Sequence, residues 1–232
     1  MDESENLLEH FRSIGNPPDE PTAEALAKRE VAAELRAFVH AIGTSRASAE
    51  QMRELAAQLR AQSDVLLGAR QSSDARSDSP AALAGMEDFL DRSPIMGYAN
   101  PIAPPAALAP DLEARVVRGE VNFGPAFEGA PGCVHGGFVA AVLDEALGMA
   151  CVFSGSHAMT GGLTTRYRHH TPVSTLLRVE ARLVSVEGRK IRTAGEVYHG
   201  DLAVAEGHGL FIAVDTAKFE QLVAAKSERF ET

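Results

Sequence analysis

The segment Phe138–Val152 constrains the fold more than any other part of the chain. Phe138, Val139, Ala140, Ala141, Val142, Leu143, Ala146, Leu147, Met149, Ala150, Cys151 and Val152 put apolar side chains on essentially every face of a helix. A helix apolar all round belongs inside a fold, not on its surface. In its middle stand Asp144 and Glu145. Successive helical residues are displaced by about 100°, so at most one of the two shares a given environment. An unpartnered buried carboxylate is costly. Asp144 is therefore either a structural group, hydrogen-bonded so as to lock two elements together, or a functional one.

The flanking sequence reads as strands. Glu113–Phe123 carries Val116, Val117, Val121 and Phe123 with polar residues between, and Thr160–Arg168 gives a second strand. Leu177, Val179, Ala181 and Leu183 alternate with Arg178, Glu180 and Arg182, which makes one face dry and the other wet. Glu187–Gly188 marks a turn, and Lys190–His199 and Leu202–Val214 supply two further strands. One strand, a buried helix and a run of antiparallel strands predict an α+β fold, with a curved antiparallel sheet wrapped around a central buried helix.

Ahead of this lies a helix-forming composition rich in Ala, Leu, Glu, Arg and Gln, from Pro21 to Leu67. Val31, Leu35, Phe38, Val39 and Ile42 share one helical face, and Gly43 offers a stop. Ser48 with Gln51 forms a capping box before the stripe Met52, Leu55, Leu59 and Leu66. The chain thus divides into an N-terminal helical hairpin extension (1–70), a Pro/Ser-rich connector (71–110), the α+β domain (111–216) and a C-terminal tail (217–232). Two such stripes bury too little to fold alone, so the hairpin is expected to pack on the main domain or on another subunit. In the connector, Met86, Phe89, Leu90, Ile95 and Met96 can lie on a surface as a lid or a strap.

The formal charge of −10, from 22 basic and 32 acidic residues, disfavours nucleic acid and anionic membrane as partners. Cys133 and Cys151 fit no disulfide framework, the opening MDESENLLEH lacks the features of a signal peptide, and no apolar run approaches a membrane span. A cytoplasmic protein is expected. No metal is expected either: His169 and His170 are adjacent and diverge, and no HExxH or Cys-rich cluster occurs.

The helix is preceded by Gly132-Cys133-Val134-His135-Gly136-Gly137. Glycines at a helix start are either a tight turn or a place where a ligand approaches unpaired amides at the positive end of the dipole, as an oxyanion would. From Gly136 to Asp144 is roughly 12 Å along a helix, too far for both to act on one carbonyl within one chain. If both act on one substrate, Asp144 must meet the helix start of a second subunit, giving two composite sites about a two-fold axis.

The stretch Val134–Gly148 (VHGGFVAAVLDEALG), with Met159–Arg168 (MTGGLTTRYR) and the Glu187–Lys190 turn (EGRK), resembles the hotdog-fold acyl-CoA thioesterases of the PaaI-like type. The resemblance covers about residues 111–216 and leaves the hairpin outside. It implies a hotdog fold, a homodimer or tetramer joined through a continuous sheet, and hydrolysis of an acyl-CoA to a free acid and coenzyme A. Asp144 would be general base or nucleophile, the Gly136 amide would hold the thioester carbonyl, and Thr160 would orient the attacking water. His135, Gly137 and Gly161 would contact substrate, and Arg189 and Lys190 would take the phosphates of coenzyme A, with Arg166 and Arg168 as alternates. From the residues alone, Thr160 is also an ordinary strand residue and Arg189–Lys190 a solvated hairpin tip. The implied reaction needs no cofactor, coenzyme A being part of the substrate. Many relatives carry Asn or Gln six residues before the motif His; this chain has Gly129.

Two other readings arise. A hotdog hydratase would resemble Asp-x-Asn-Pro-x-His, but Asn100-Pro101 lacks both the preceding Asp and the following His. A non-catalytic acyl-CoA-binding or interaction protein would use the same pocket without turnover.

Overall fold

A computed structural model describes residues 21–68 and 91–214 of the 232-residue chain. Met86, Phe89, Leu90 and the 217–232 tail lie outside the described residues.

Helix α1 (Ala23–Thr44) begins at Thr22, whose side chain accepts from the Ala25 amide, and ends one residue past Gly43. The capping box forms at α2 (Ala49–Gly68): the Ser48 amide donates to Gln51 Oε1 (2.8 Å) and the Gln51 amide to Ser48 Oγ (3.2 Å). The face of α1 that meets the rest of the chain is the small and basic one. Arg29 Nε donates to Asp91 Oδ2 (2.7 Å), Ala32 is buried, and Arg36 Nη1 donates to the Asn100 carbonyl (2.9 Å). These residues stand at i, i+3 and i+7, one face of a helix. The apolar stripe of Val31, Leu35, Val39 and Ile42 is left exposed in the single chain, and α2 buries no residue at all.

The sheet has six antiparallel strands in the order β1-β2-β4-β5-β6-β3: β1 (Ala107–Asp111), β2 (Val116–Asn122), β3 (Ala158–Tyr167), β4 (Leu176–Glu187), β5 (Lys190–His199) and β6 (Leu202–Ala213). It begins earlier than residue 111, because the end of the connector pairs with β2. Pro110 sits in that strand, where an edge position spares the missing amide. The alternation expected around residue 180 is present: Leu177, Val179 and Ala181 are buried, and Arg178 donates to Glu180 on the wet face. Gly188, at φ +60°, turns β4 into β5.

Helix α3 (Gly136–Met149), extended by a 3-10 turn (Ala150–Ser154), packs on the inner face of the sheet. Val139, Val142, Leu143, Ala146 and Leu147 are buried in one core with Val117, Val121, Val179, Ile191 and Phe211. Gly136–Ser154 spans 19 residues at mean hydropathy 1.6, so by composition it does reach span length, contrary to expectation. Packing inside the sheet accounts for that hydropathy. The helix is not buried all round, however. Gly137, Phe138, Ala141, Asp144, Glu145 and Gly148 form a stripe that stays partly open, bordered by β3. The outer edge of β3 pairs with no strand among the described residues, and Met159–Gly162 are exposed.

Candidate active site

Asp144 and Thr160 meet. Thr160 Oγ1 donates to Asp144 Oδ1 at 3.1 Å, which leaves Oδ2 without a donor among the described residues. A β-bulge makes this possible. The register of β3 against β6 slips between Thr160 and Gly162, so Gly161 is the extra residue. Thr160 opposes Phe211 and Tyr167 opposes Ala205, both buried positions on the inner face of β6. Tyr167 stands seven positions after Thr160, an odd step that would send them to opposite faces of a regular strand. The bulge restores the phase, and both side chains reach α3.

The other end of α3 is built from the glycines. His135 is the N-cap, its Nδ1 accepting from the Gly137 amide at 3.1 Å. Tyr167 Oη donates to the Gly136 carbonyl at 2.8 Å. The Gly136 amide donates to no acceptor among the described residues and points from the positive end of the helix. Phe138 stacks edge-on against Phe127, with ring centroids 4.8 Å apart, and is 36% exposed beside this amide. Asp144 lies two turns along the helix from Gly136, so one chain does not bring the carboxylate and the amide together.

Gly129 explains why the loop tolerates no amide side chain. A Cβ there would lie 2.9 Å from His135 Cα and 3.0 Å from its Cβ. His135 occupies the space into which any side chain at this position would project. The loop is closed by the Gly129 amide donating to the Cys133 carbonyl and the His135 amide to the Phe127 carbonyl, both at 2.8 Å.

Glu145, beside Asp144 on the open stripe, has its carboxyl pushed above the usual range, first by burial and then by the Asp144 charge. Arg189 and Lys190 stand at the same end of the sheet as Thr160: Lys190 opposes Ile212, which opposes Met159 on its other side. Arg189 Nε donates to the Ala213 carbonyl (3.1 Å), holding the hairpin tip against the end of β6. Arg168 makes a two-pronged pair with Glu206, at 2.9 Å each, which draws the Glu206 carboxyl below its usual range. That pairing leaves Arg168 a poor alternate for a phosphate. Tyr167 received no role from the sequence, since only the bulge reveals which face it takes.

The thioesterase superfamily model matches residues 131–206, the span from the glycine loop to β6. A solved thioesterase superfamily protein is 32% identical, covering 85% of this chain and 97% of its own, with a TM-score of 0.69. The chain belongs to the thioesterase superfamily. Its sheet wrapped around α3 is the hotdog fold. Among curated proteins the chain is similar to the acyl-coenzyme A thioesterases THEM4 of Xenopus laevis and Bos taurus. The first is 32% identical over 91 residues, 38% of this chain and 41% of the relative. The second is 34% identical over 97 residues, 41% of this chain and 40% of the relative. The match thus spans about two-fifths of each curated relative.

Proposed function

We propose that the protein hydrolyses an acyl-CoA thioester to a free acid and coenzyme A, at sites shared between two copies of the chain. The observation that carries this reading is the Thr160–Asp144 hydrogen bond on an open edge, with Oδ2 left over for a water. The Gly136 amide, with no acceptor of its own, suits the carbonyl oxygen as negative charge develops on it. Oδ2 takes a proton from water, the water oxygen bonds to the thioester carbon, and collapse breaks the C–S bond. The thiolate leaves and recovers the proton. In the other route open to it, Asp144 attacks the carbon directly and expels the thiolate. Water then cleaves the resulting anhydride to the free acid and the Asp144 carboxylate, its proton going to the thiolate. Neither route calls for a metal or cofactor.

The roughly 12 Å between Gly136 and Asp144 on one helix supports placing the two groups of each site on different copies. The unpaired edge of β3 and the open stripe of α3 support the same arrangement, since an exposed edge strand is a template for pairing. The homodimer or tetramer so formed is PaaI-like and cytoplasmic. His135, Gly137 and Gly161 line the substrate path, and Arg189 and Lys190 receive the phosphates. The test is thiol release from a panel of acyl-CoAs, aliphatic and aromatic, by wild type and Asp144→Asn. Turnover that collapses in the variant while acyl-CoA binding persists is expected. Equal binding and no turnover by either protein refutes the enzyme and leaves a binding module.

A further inference from the structure

Two peptide units at the start of α3 decide where the Gly136 N–H points. In the unit between Gly136 and Gly137, the carbonyl accepts from Tyr167 Oη at 2.8 Å and the N–H donates to His135 Nδ1 at 3.1 Å. In the unit before it, the His135 carbonyl accepts from the Phe138 amide at 2.9 Å. Peptide units are planar, so holding these groups leaves the Gly136 N–H a single direction. Consecutive glycines are the residues least able to hold that direction themselves, because neither has a Cβ to restrict its dihedral angles.

The contact between Gly136 and Tyr167 is close. A Cβ on Gly136 would lie 3.1 Å from Tyr167 Cζ and 3.2 Å from its Oη, so the phenol ring rests directly on the glycine Cα. The ring reaches this place only because the Gly161 bulge returns Tyr167 to the inner face of β3. Half of Tyr167 is open to solvent, so burial in a core does not account for its position.

We propose that Tyr167 is a positioning residue: with His135 it clamps the Gly136–Gly137 peptide and so aims the Gly136 amide at the thioester carbonyl. This rests on the thioesterase reading above. Tyr167→Phe removes one oxygen and keeps the ring. The loss of one neutral hydrogen bond felt in the transition state lowers kcat by ~5- to 10-fold, with KM and melting temperature unchanged. A purely structural role lowers the melting temperature and leaves kcat per folded molecule alone. Because the two side chains hold one peptide, Tyr167→Phe combined with His135→Ala loses less than the product of the single losses.

A second readout does not depend on turnover. Amide hydrogen exchange at Gly137, whose N–H donates to His135 Nδ1, followed by NMR, accelerates in Tyr167→Phe while amides in the second half of α3 keep their rates. Wild-type kcat in Tyr167→Phe, or unchanged exchange at Gly137, overturns the proposal. If the wild type turns over no acyl-CoA, the thioesterase reading fails by itself, and the exchange rates alone judge the clamp.

Discussion

Restoring the amide at residue 129 is expected to damage this protein. Gly129→Asn places a Cβ 2.9 Å from His135 Cα, 3.0 Å from its Cβ and 3.2 Å from its Cδ2, before the carboxamide itself is accommodated. The first neighbour is backbone and cannot swing aside. The loop cannot widen without breaking the bonds from Gly129 to Cys133 and from His135 to Phe127. Overpacking of this kind costs about 1–3 kcal/mol, and displacing the His135 cap from α3 costs about 1 kcal/mol more. The total of about 2–4 kcal/mol, at roughly 2–4 °C per kcal/mol for a chain of this size, lowers the melting temperature by roughly 4–16 °C. Turnover falls with it, because the cap that moves holds the Gly137 amide. Scanning calorimetry with thiol-release assays, on Gly129→Asn beside Gly129→Ala, measures both effects, and alanine shares most of the loss because the Cβ makes the clash. An asparagine variant that melts with the wild type and turns over faster would refute the packing argument and show that the site has room for the amide.

Thr160→Val keeps the branched shape and removes the hydroxyl on Asp144. A hydrogen bond to a charged group is worth about 1.5–3 kcal/mol, so kcat falls ~10- to 100-fold in the thiol-release assay, and an unchanged kcat would strip Thr160 of its role. Glu145 has a raised carboxyl pKa, so the folded chain binds this proton more tightly than the unfolded chain does. Stability is therefore lost as pH rises from the unfolded carboxyl value, about 4.3, through the raised folded one. In urea unfolding, Glu145→Gln exceeds wild type at pH 7 and converges with it near pH 4. Equal stabilities at both pH values would contradict this. Iodoacetamide labels partly exposed Cys133 in the native protein and spares Cys151, whose thiol burial pushes up to about 12 and which donates to the Leu147 carbonyl. Peptide mass mapping reads this, and native labelling of Cys151 would contradict it.

The fold was legible wherever one periodicity prevailed. Arg178, Glu180 and Arg182 alternate with buried residues because β4 has one wet face, and the Ser48–Gln51 box formed because its two bonds are local. Ala107–Pro110 reads as connector because a proline and two alanines carry no alternation; β2 makes it a strand. The face by which α1 meets residues 91–100 is distinct from its apolar stripe. Hydrophobicity pointed to Val31, Leu35 and Val39, yet Arg29 and Arg36 find carbonyl and carboxylate partners in 91–100, contacts that no helical pattern encodes.

In the site, residue identities were readable and their phase was not. Asp144 declared itself by standing in an apolar helix, and the glycines by preceding it. The apolar composition also overstated its burial: a hotdog helix that is half-open in one chain needs apolar residues on the open side as well, if a second copy is to cover it. Counting by twos from Thr160 places Arg166, not Tyr167, on the inner face. The single extra residue at Gly161 reverses that assignment, turning Arg166 outward opposite Glu206 and bringing Tyr167 onto Gly136. A bulge has no side-chain signature beyond its glycine, and Gly161-Gly162 gave no sign of which residue would be the extra one. With Gly161 in the chain, the site depends on a backbone irregularity in which the Cβ missing from Gly161 would lie 3.1 Å from Ile212 Cγ1. Deleting Gly161 shortens the step from Thr160 to Tyr167 to an even number of positions, matching the step from Phe211 to Ala205 on β6. A regular strand then keeps both side chains on the inner face, and both contacts with α3 survive the loss of the bulge.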